Sequence, residues 1–200
     1  MADINSTNQK RSGNTYILIG GGCNDGVPRD TLAKEISRQL DLKELTIYNL
    51  LFVNFGKEKE YWQSSVEKYK KTIFRELLQQ EKLKILIASP NTTALIEQVQ
   101  VADLIFFTGG NELLLKEKIT KDLIPAQDKI IMGISAGTNL LSKYYFSNDR
   151  GRIEKGIGVL PINTICHFSP EKQENLKLLS YKNKSPTIPI EHDKFLVLLY

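Results

Sequence analysis

The chain has 200 residues, 41% of them apolar and 25% charged, the make-up of an ordinary globular domain, which excludes collagen, a long coiled coil and wholesale disorder. Its net charge of +4 comes from 27 basic and 23 acidic residues, interleaved along stretches such as Glu58 to Lys71 as on a solvated surface, so no nucleic-acid partner is expected. No apolar run approaches the roughly 18 to 20 residues of a membrane span, the opening MADINSTNQKRSGN lacks a secretory apolar stretch, and Cys23 and Cys166 form no C-x-x-C pair, which together predict a cytoplasmic protein with plain thiols, no membrane partner, and neither metal nor other cofactor.

Residues 1–14 are polar and charged, too poor in apolar groups to offset the entropy of ordering them. They are expected to form a disordered tail before a single domain over 15–200. From Tyr16 onward, short apolar runs alternate with longer stretches of helical period, the pattern of βα units around a mainly parallel sheet. Strands are predicted at 15–20, 45–53, 83–88, 104–108 and 129–134. Helices are predicted at 29–40, 57–80, 92–99, 111–118 and 136–146, with Asp30 and Asn91 as N-caps. Beyond Phe146 the polar, glycine-containing stretch from Asn148 to Gly158 reads as a loop or hairpin. A last helix is expected over 171–180, and two short strands at 187–190 and 194–200. No internal repeat is visible.

The run Gly133-Ile134-Ser135-Ala136-Gly137 is a G-x-S-x-G, placed where an apolar strand meets a helical run. A nucleophile elbow needs that context: a tight strand-to-helix turn, small flanking residues that let backbone approach, and a helix N-terminus whose N–H groups stabilise negative charge. Ser135 is therefore the candidate nucleophile and the Ala136 N–H a candidate oxyanion donor. The alternative is a glycine-rich turn with an N-capping serine.

A serine hydroxyl attacks only when a base removes its proton, and the chain holds two histidines. His167, in Thr164-Ile165-Cys166-His167-Phe168, lies just past an apolar stretch, as a residue projecting from a strand end does. His192, in Ile190-Glu191-His192-Asp193, reads as an exposed turn residue, so His167 is the preferred base. An orienting carboxylate is sought in the polar loop between Ser135 and His167, where Asp149 is preferred over Glu154.

A second glycine turn, Thr108-Gly109-Gly110-Asn111, ends another predicted strand. In a parallel sheet the carboxyl ends of the strands share one edge, so this turn should face the Ser135 turn and offer the other oxyanion donor. A third cluster, Gly20-Gly21-Gly22-Cys23-Asn24-Asp25-Gly26, fits neither G-x-G-x-x-G nor Walker A spacing. Its glycines are expected to let the first loop pass close to the site. Cys166 is not expected to act as a nucleophile with His167, because neighbouring strand residues point to opposite faces. Tyr61, Trp62, Tyr69 and Phe74, at helical spacings, are expected to pack.

The succession of T-G-G-N, G-x-S-A-G with N-L two residues on, an N-D turn and an apolar stretch ending in H-F resembles peptidase family S51. That family holds the peptidase E aspartyl dipeptidases and the cyanophycinases, on the scaffold of the class I glutamine amidotransferases. The resemblance covers most of residues 15–195. It implies a three-layer αβα sandwich with a mainly parallel sheet, flavodoxin-like in type. It also implies a serine peptidase of dipeptidase type acting on short peptides, without a cofactor, and with a homodimer as the one macromolecular partner to consider. Ser135 then looks like the nucleophile, His167 like the general base and Asp149 like the third member. Gly109, Gly110 and Asn111 match the glycine turn beside the oxyanion hole. Glu191 is similar in place to a glutamate common near the last strands of the family. One departure bears on specificity. Members like peptidase E carry an arginine-bearing G-E-S/T-R segment shortly after the histidine, whereas Ser169-Pro170-Glu171-Lys172-Gln173-Glu174 has no arginine. Selection of N-terminal aspartate therefore does not carry over, and Lys172 is left as a candidate point charge. The competing readings are an esterase of α/β-hydrolase fold, for which the chain beyond Ser135 is short, and a ligand-binding module of amidotransferase-like fold without catalysis.

Overall fold

The computed structural model describes residues 13–43, 45–182 and 184–200. Five apolar strands, Thr15–Ile19 (β1), Tyr48–Val53 (β2), Leu83–Ile87 (β3), Leu104–Phe107 (β4) and Ile130–Ile134 (β5), run parallel in the order β3-β2-β4-β5-β1. Successive residues of β1 enter different cores: Tyr16 and Leu18 pack on one side, Ile17 and Ile19 on the other. That is why these strands read as continuous apolar runs rather than as an apolar-polar alternation. Helices Gly26–Asp41 (α1), Trp62–Lys71 (α2) and Arg75–Gln79 (α3) cover the Ile17 side. Helices Thr92–Val101 (α4), Glu112–Lys118 (α5) and Ala136–Leu141 (α6) cover the Tyr16 side, which makes a three-layer α/β sandwich.

Strands Tyr144–Ser147 (β6), Arg152–Lys155 (β7), Asn163–Phe168 (β8) and Thr187–Glu191 (β9) form a second sheet in the order β7-β6-β8-β9. Within it β6 and β7 are an antiparallel hairpin, while β6, β8 and β9 run parallel. Helix Gln173–Lys182 (α7) covers this sheet, with Leu176 and Leu179 against Phe146 and Ile165. The last strand, Phe195–Leu199 (β10), returns to the first sheet and pairs antiparallel with β1.

The departures from expectation have physical causes. The stretch 136–146 is not one helix: it stops at Leu141, and Tyr144 opens β6. Ser142 ends the helix by donating its hydroxyl back to the Thr138 carbonyl at 3.0 Å, and the aromatic residues that follow are better satisfied in the second sheet. The stretch 57–80 is likewise broken, at Thr72, where φ is −115° and ψ −96°. The helix expected at 29–40 begins at Gly26, so Asp30 is not its cap and instead pairs with Arg29 at 2.6 Å. Pro28 fits inside that first turn because its missing N–H would have had no helical acceptor. Asn91 is the N-cap of α4 as expected, accepting from the Ala94 N–H at 3.1 Å. Tyr69 and Phe74 pack edge-on to Phe106 with ring centroids 4.9 and 5.4 Å apart. Trp62 sits against Phe55, and Tyr61 is exposed.

The expected tail over 1–14 lies outside the described residues as far as position 12. Asn14, counted with it, is buried and joins three segments. Its side chain donates to the Pro125 carbonyl at 2.7 Å and accepts from the Lys129 N–H at 2.9 Å, while its N–H donates to the Tyr200 carbonyl at 2.8 Å. Replacing it leaves buried partners unmade. Asn14→Ala is expected to lower the unfolding free energy by about 1–3 kcal/mol, read from the urea midpoint.

Candidate active site

Ser135 stands between β5 and α6 with φ at 53° and ψ at −110°. For a residue with a side chain this is a strained conformation, costing on the order of 1–3 kcal/mol, and it is held by its surroundings. The flanking glycines explain how. A Cβ on Gly133 would stand 2.6 Å from the Gly137 carbonyl carbon, and one on Gly137 would stand 2.1 Å from the Phe107 oxygen. The turn can therefore be this tight only with glycine at both places. The Ser135 N–H donates to the Ile19 carbonyl at 2.9 Å. Its hydroxyl makes no helix cap, which removes the reading of Ser135 as a capping residue.

The Ser135 hydroxyl meets His167 instead, with Oγ 2.9 Å from Nε2. His167 lies on β8 at a register shift between Cys166 and Phe168, and its φ of 51° marks a bulge. The bulge alters the expected alternation of neighbours. Cys166 and His167 both approach Ser135, the thiol donating to the Ser135 carbonyl at 3.5 Å and the imidazole reaching the hydroxyl. Burial pushes the Cys166 thiol far above its usual pKa, so it stays protonated and inert. Burial also lowers the His167 pKa, helped by His192 and Lys172 and opposed by Asp149.

The expected third member is not in bonding contact. Asp149 is exposed in the turn of the β6–β7 hairpin and reaches His167 only through space. Its neighbour Asn148 donates to the Cys166 carbonyl at 2.9 Å, which pins that turn beside β8. Glu154, the other candidate, is spent on Arg152 at 2.7 Å and Arg150 at 3.3 Å. The imidazole edge that a carboxylate was expected to hold faces His192, Nδ1 to Nδ1 at 3.1 Å. Sequence reasoning had set His192 aside as a turn residue. It is one, but β9 runs parallel to β8, so the turn after β9 opens at the edge where β8 ends. Glu191 closes β9 with its side chain exposed, and its carbonyl lies against Gly20.

The two other glycine segments converge here. Gly109 lies beside Ser135, where a Cβ would sit 3.5 Å from the serine's own. Gly110, at a φ of 145°, passes so close to Gly56 that a Cβ would meet its oxygen at 2.1 Å. Asn111 caps α5, accepting from the Leu113 N–H at 2.8 Å. Ala136 is the first residue of α6, so its N–H has no acceptor within the helix. The first loop passes against the imidazole, since a Cβ on Gly21 would stand 2.0 Å from His167 Cε1. Lys172 donates its ammonium to the His167 carbonyl, which places a fixed positive charge at the rim of the site. Among the described residues, no group of three or more His, Cys, Asp or Glu side chains could hold a metal ion.

A strained serine between strand and helix, joined to an imidazole and flanked by glycine backbone, defines a serine hydrolase on an α/β sandwich. The model of peptidase family S51 matches residues 16–198, and the chain belongs to that family of serine-type peptidases. Among solved structures it is similar to the crystal structure of a peptidase from an acI-B1 Actinobacterium, at 18% identity and a TM-score of 0.63. The match covers 94% of this chain and 84% of that one; at such identity it speaks for the fold. Among curated proteins none matches. No described helix is long and apolar enough to cross a membrane.

Three outcomes follow from this geometry. Gly21→Ala forces the imidazole away from Ser135 and is expected to lower kcat for peptide hydrolysis by about a hundredfold or more, the usual penalty for an ångström of misplacement. To act as a base His167 must be neutral, and its pKa is held below the ordinary value of about 6.5. The acid-side fall of kcat/KM should therefore lie below pH ~6.5. Lys172→Met removes a charge that disfavours the imidazolium, so the fall should move to higher pH in a pH–rate profile.

Proposed function

We propose that this chain hydrolyses short peptides, acting as a dipeptidase-like serine peptidase with Ser135 as nucleophile and His167 as general base. The observation that carries the reading is the 2.9 Å contact between Ser135 Oγ and His167 Nε2 at a turn strained in the manner of a nucleophile elbow. As Oγ attacks the scissile carbonyl, its proton passes to Nε2. The carbonyl oxygen becomes an oxyanion, stabilised by the Ala136 N–H and by the backbone of the Gly109-Gly110 turn. His167 then returns the proton to the leaving amine as the C–N bond breaks, and water repeats the sequence to release the acyl group.

The acid expected to complete a triad, Asp149, supports the imidazolium through space, since its charge raises the His167 pKa. Substrate selection is loose in this reading. The segment after the base offers Lys172 alone, a compact point charge tied to backbone, where a bidentate arginine would grip a carboxylate in two places. Family membership supports peptide chemistry. Cleavage of a dipeptide library by the wild type is expected to fall by at least about a thousandfold in Ser135→Ala, with an unchanged thermal melting curve. A fluorophosphonate should label the wild type at Ser135 and leave the variant unlabelled. Equal cleavage by both proteins would end the proposal.

A further inference from the structure

We propose that Asn148 is a positioning residue of this site, holding the bulge in β8 that turns His167 toward Ser135. The inference rests on the serine-peptidase reading and deepens it. Ile190 and Glu191 are consecutive on β9, yet they pair with Cys166 and Phe168, so His167 is the extra residue of the bulge. In a regular strand Cys166 and His167 would point to opposite faces. Only with the extra residue, at a φ of 51°, do both approach Ser135, the thiol at its carbonyl and the imidazole 2.9 Å from its hydroxyl. A left-handed backbone at a residue with a side chain persists only where its surroundings hold it. What holds the bulge therefore holds the base.

Three hydrogen bonds to successive backbone groups do so. The His167 N–H donates to the Gly20 carbonyl at 3.0 Å, Lys172 donates its ammonium to the His167 carbonyl, and the Asn148 amide donates to the Cys166 carbonyl at 2.9 Å. The first is a main-chain bond, and the second comes from a long flexible stem. The third comes from a short side chain on a turn that is itself fastened. The ladder between β6 and β8 joins Tyr144 to Asn163 and Tyr145 to Thr164. Past those pairs, the Asn148 side chain reaches across to Cys166 as a further rung would. Its turn is closed by the Gly151 N–H on the Ser147 carbonyl at 2.9 Å. Two residues on, Arg150 donates to Glu112 and to the Tyr145 hydroxyl, both at 3.2 Å, and to Glu154 at 3.3 Å. A donor seated this firmly fixes the Cys166 peptide, and with it the Cα of His167, against the Ser135 turn. The bond sets where the imidazole stands and leaves its two ring nitrogens to other partners.

Asn148 is exposed, so replacing it leaves the fold standing. The readouts are the rate at which a fluorophosphonate labels Ser135 in the full chain, and kcat and KM on a cleaved dipeptide. Asn148→Ala should slow labelling and kcat by about tenfold or more, since the imidazole drifts from its contact with Oγ, with KM changed less than about twofold. Asn148→Asp keeps the shape but has no N–H to give the Cys166 carbonyl, and should lose at least as much. Both variants should melt within about 4 °C of the wild type. The same losses are expected in an Asp149→Asn background, because the effect runs through backbone rather than through the neighbouring charge. Wild-type labelling and kcat in either variant overturn the inference. So does a rise in KM at constant kcat, a loss that disappears in the Asp149→Asn background, or melting lowered far beyond that range in both variants. A wild type that takes no label at Ser135 is a separate outcome, which removes the serine-peptidase reading and this inference together.

Discussion

Three consecutive carbonyls at the end of β1 hold the working parts of this protein. Ile19 accepts from the Ser135 N–H at 2.9 Å, Gly20 from the His167 N–H at 3.0 Å, and Gly21 from the Asp193 N–H at 2.9 Å. Ser135, His167 and the turn that carries His192 are thus spaced by one stretch of backbone. Backbone can be shared this closely only where side chains are absent: a Cβ on Gly20 would lie 2.2 Å from the Glu191 oxygen. Catalytic distances fixed by main-chain bonds vary less than distances fixed by flexible side chains, and a nucleophile and base need that constancy.

The same stretch is also the seam between the two sheets. β1 belongs to the parallel sheet, while His167 and Asp193 belong to β8 and to the turn after β9. Beneath the seam runs a buried polar layer. Glu112, 5% exposed, accepts from Asn139 at 3.0 Å and from Arg150 at 3.2 Å. Asn139 in turn accepts from the Thr164 hydroxyl at 3.3 Å. A carboxylate removed from water is tolerated because its partners replace the lost hydration. The arrangement ties the helix after the Gly109-Gly110 turn, the helix after Ser135 and the strand bearing His167 into one block. Strain at Ser135 is sustainable because this block cannot relax around it.

Much of this was legible in the amino-acid order because it is local. An elbow between strand and helix is written in five neighbouring residues, and the preference for His167 over His192 as base followed from an apolar run before it. The glycine run after β1 was legible too, as a loop that must pass close to something. The second sheet was not legible. Tyr144, Tyr145 and Phe146 continue a helical spacing after Leu140 and Leu141, and only pairing with strands far along the chain makes them β6. Asn14 likewise looks like tail until its partners at 125, 129 and 200 are known.

The division between what was local and what was not also separates the two histidines. The amino-acid order carried the α/β class and singled out Ser135, His167 and the glycines around them, since each depends on neighbours a few residues away. The partner of His167 Nδ1 depended on which strand lies beside β8 and in which direction it runs. A hairpin would have sent the turn after β9 to the opposite edge, and Asp149, close to the nucleophile in sequence, was the natural expectation. Parallel pairing put His192 there instead, because parallel strands end together and sequence distance says nothing about which strands become neighbours.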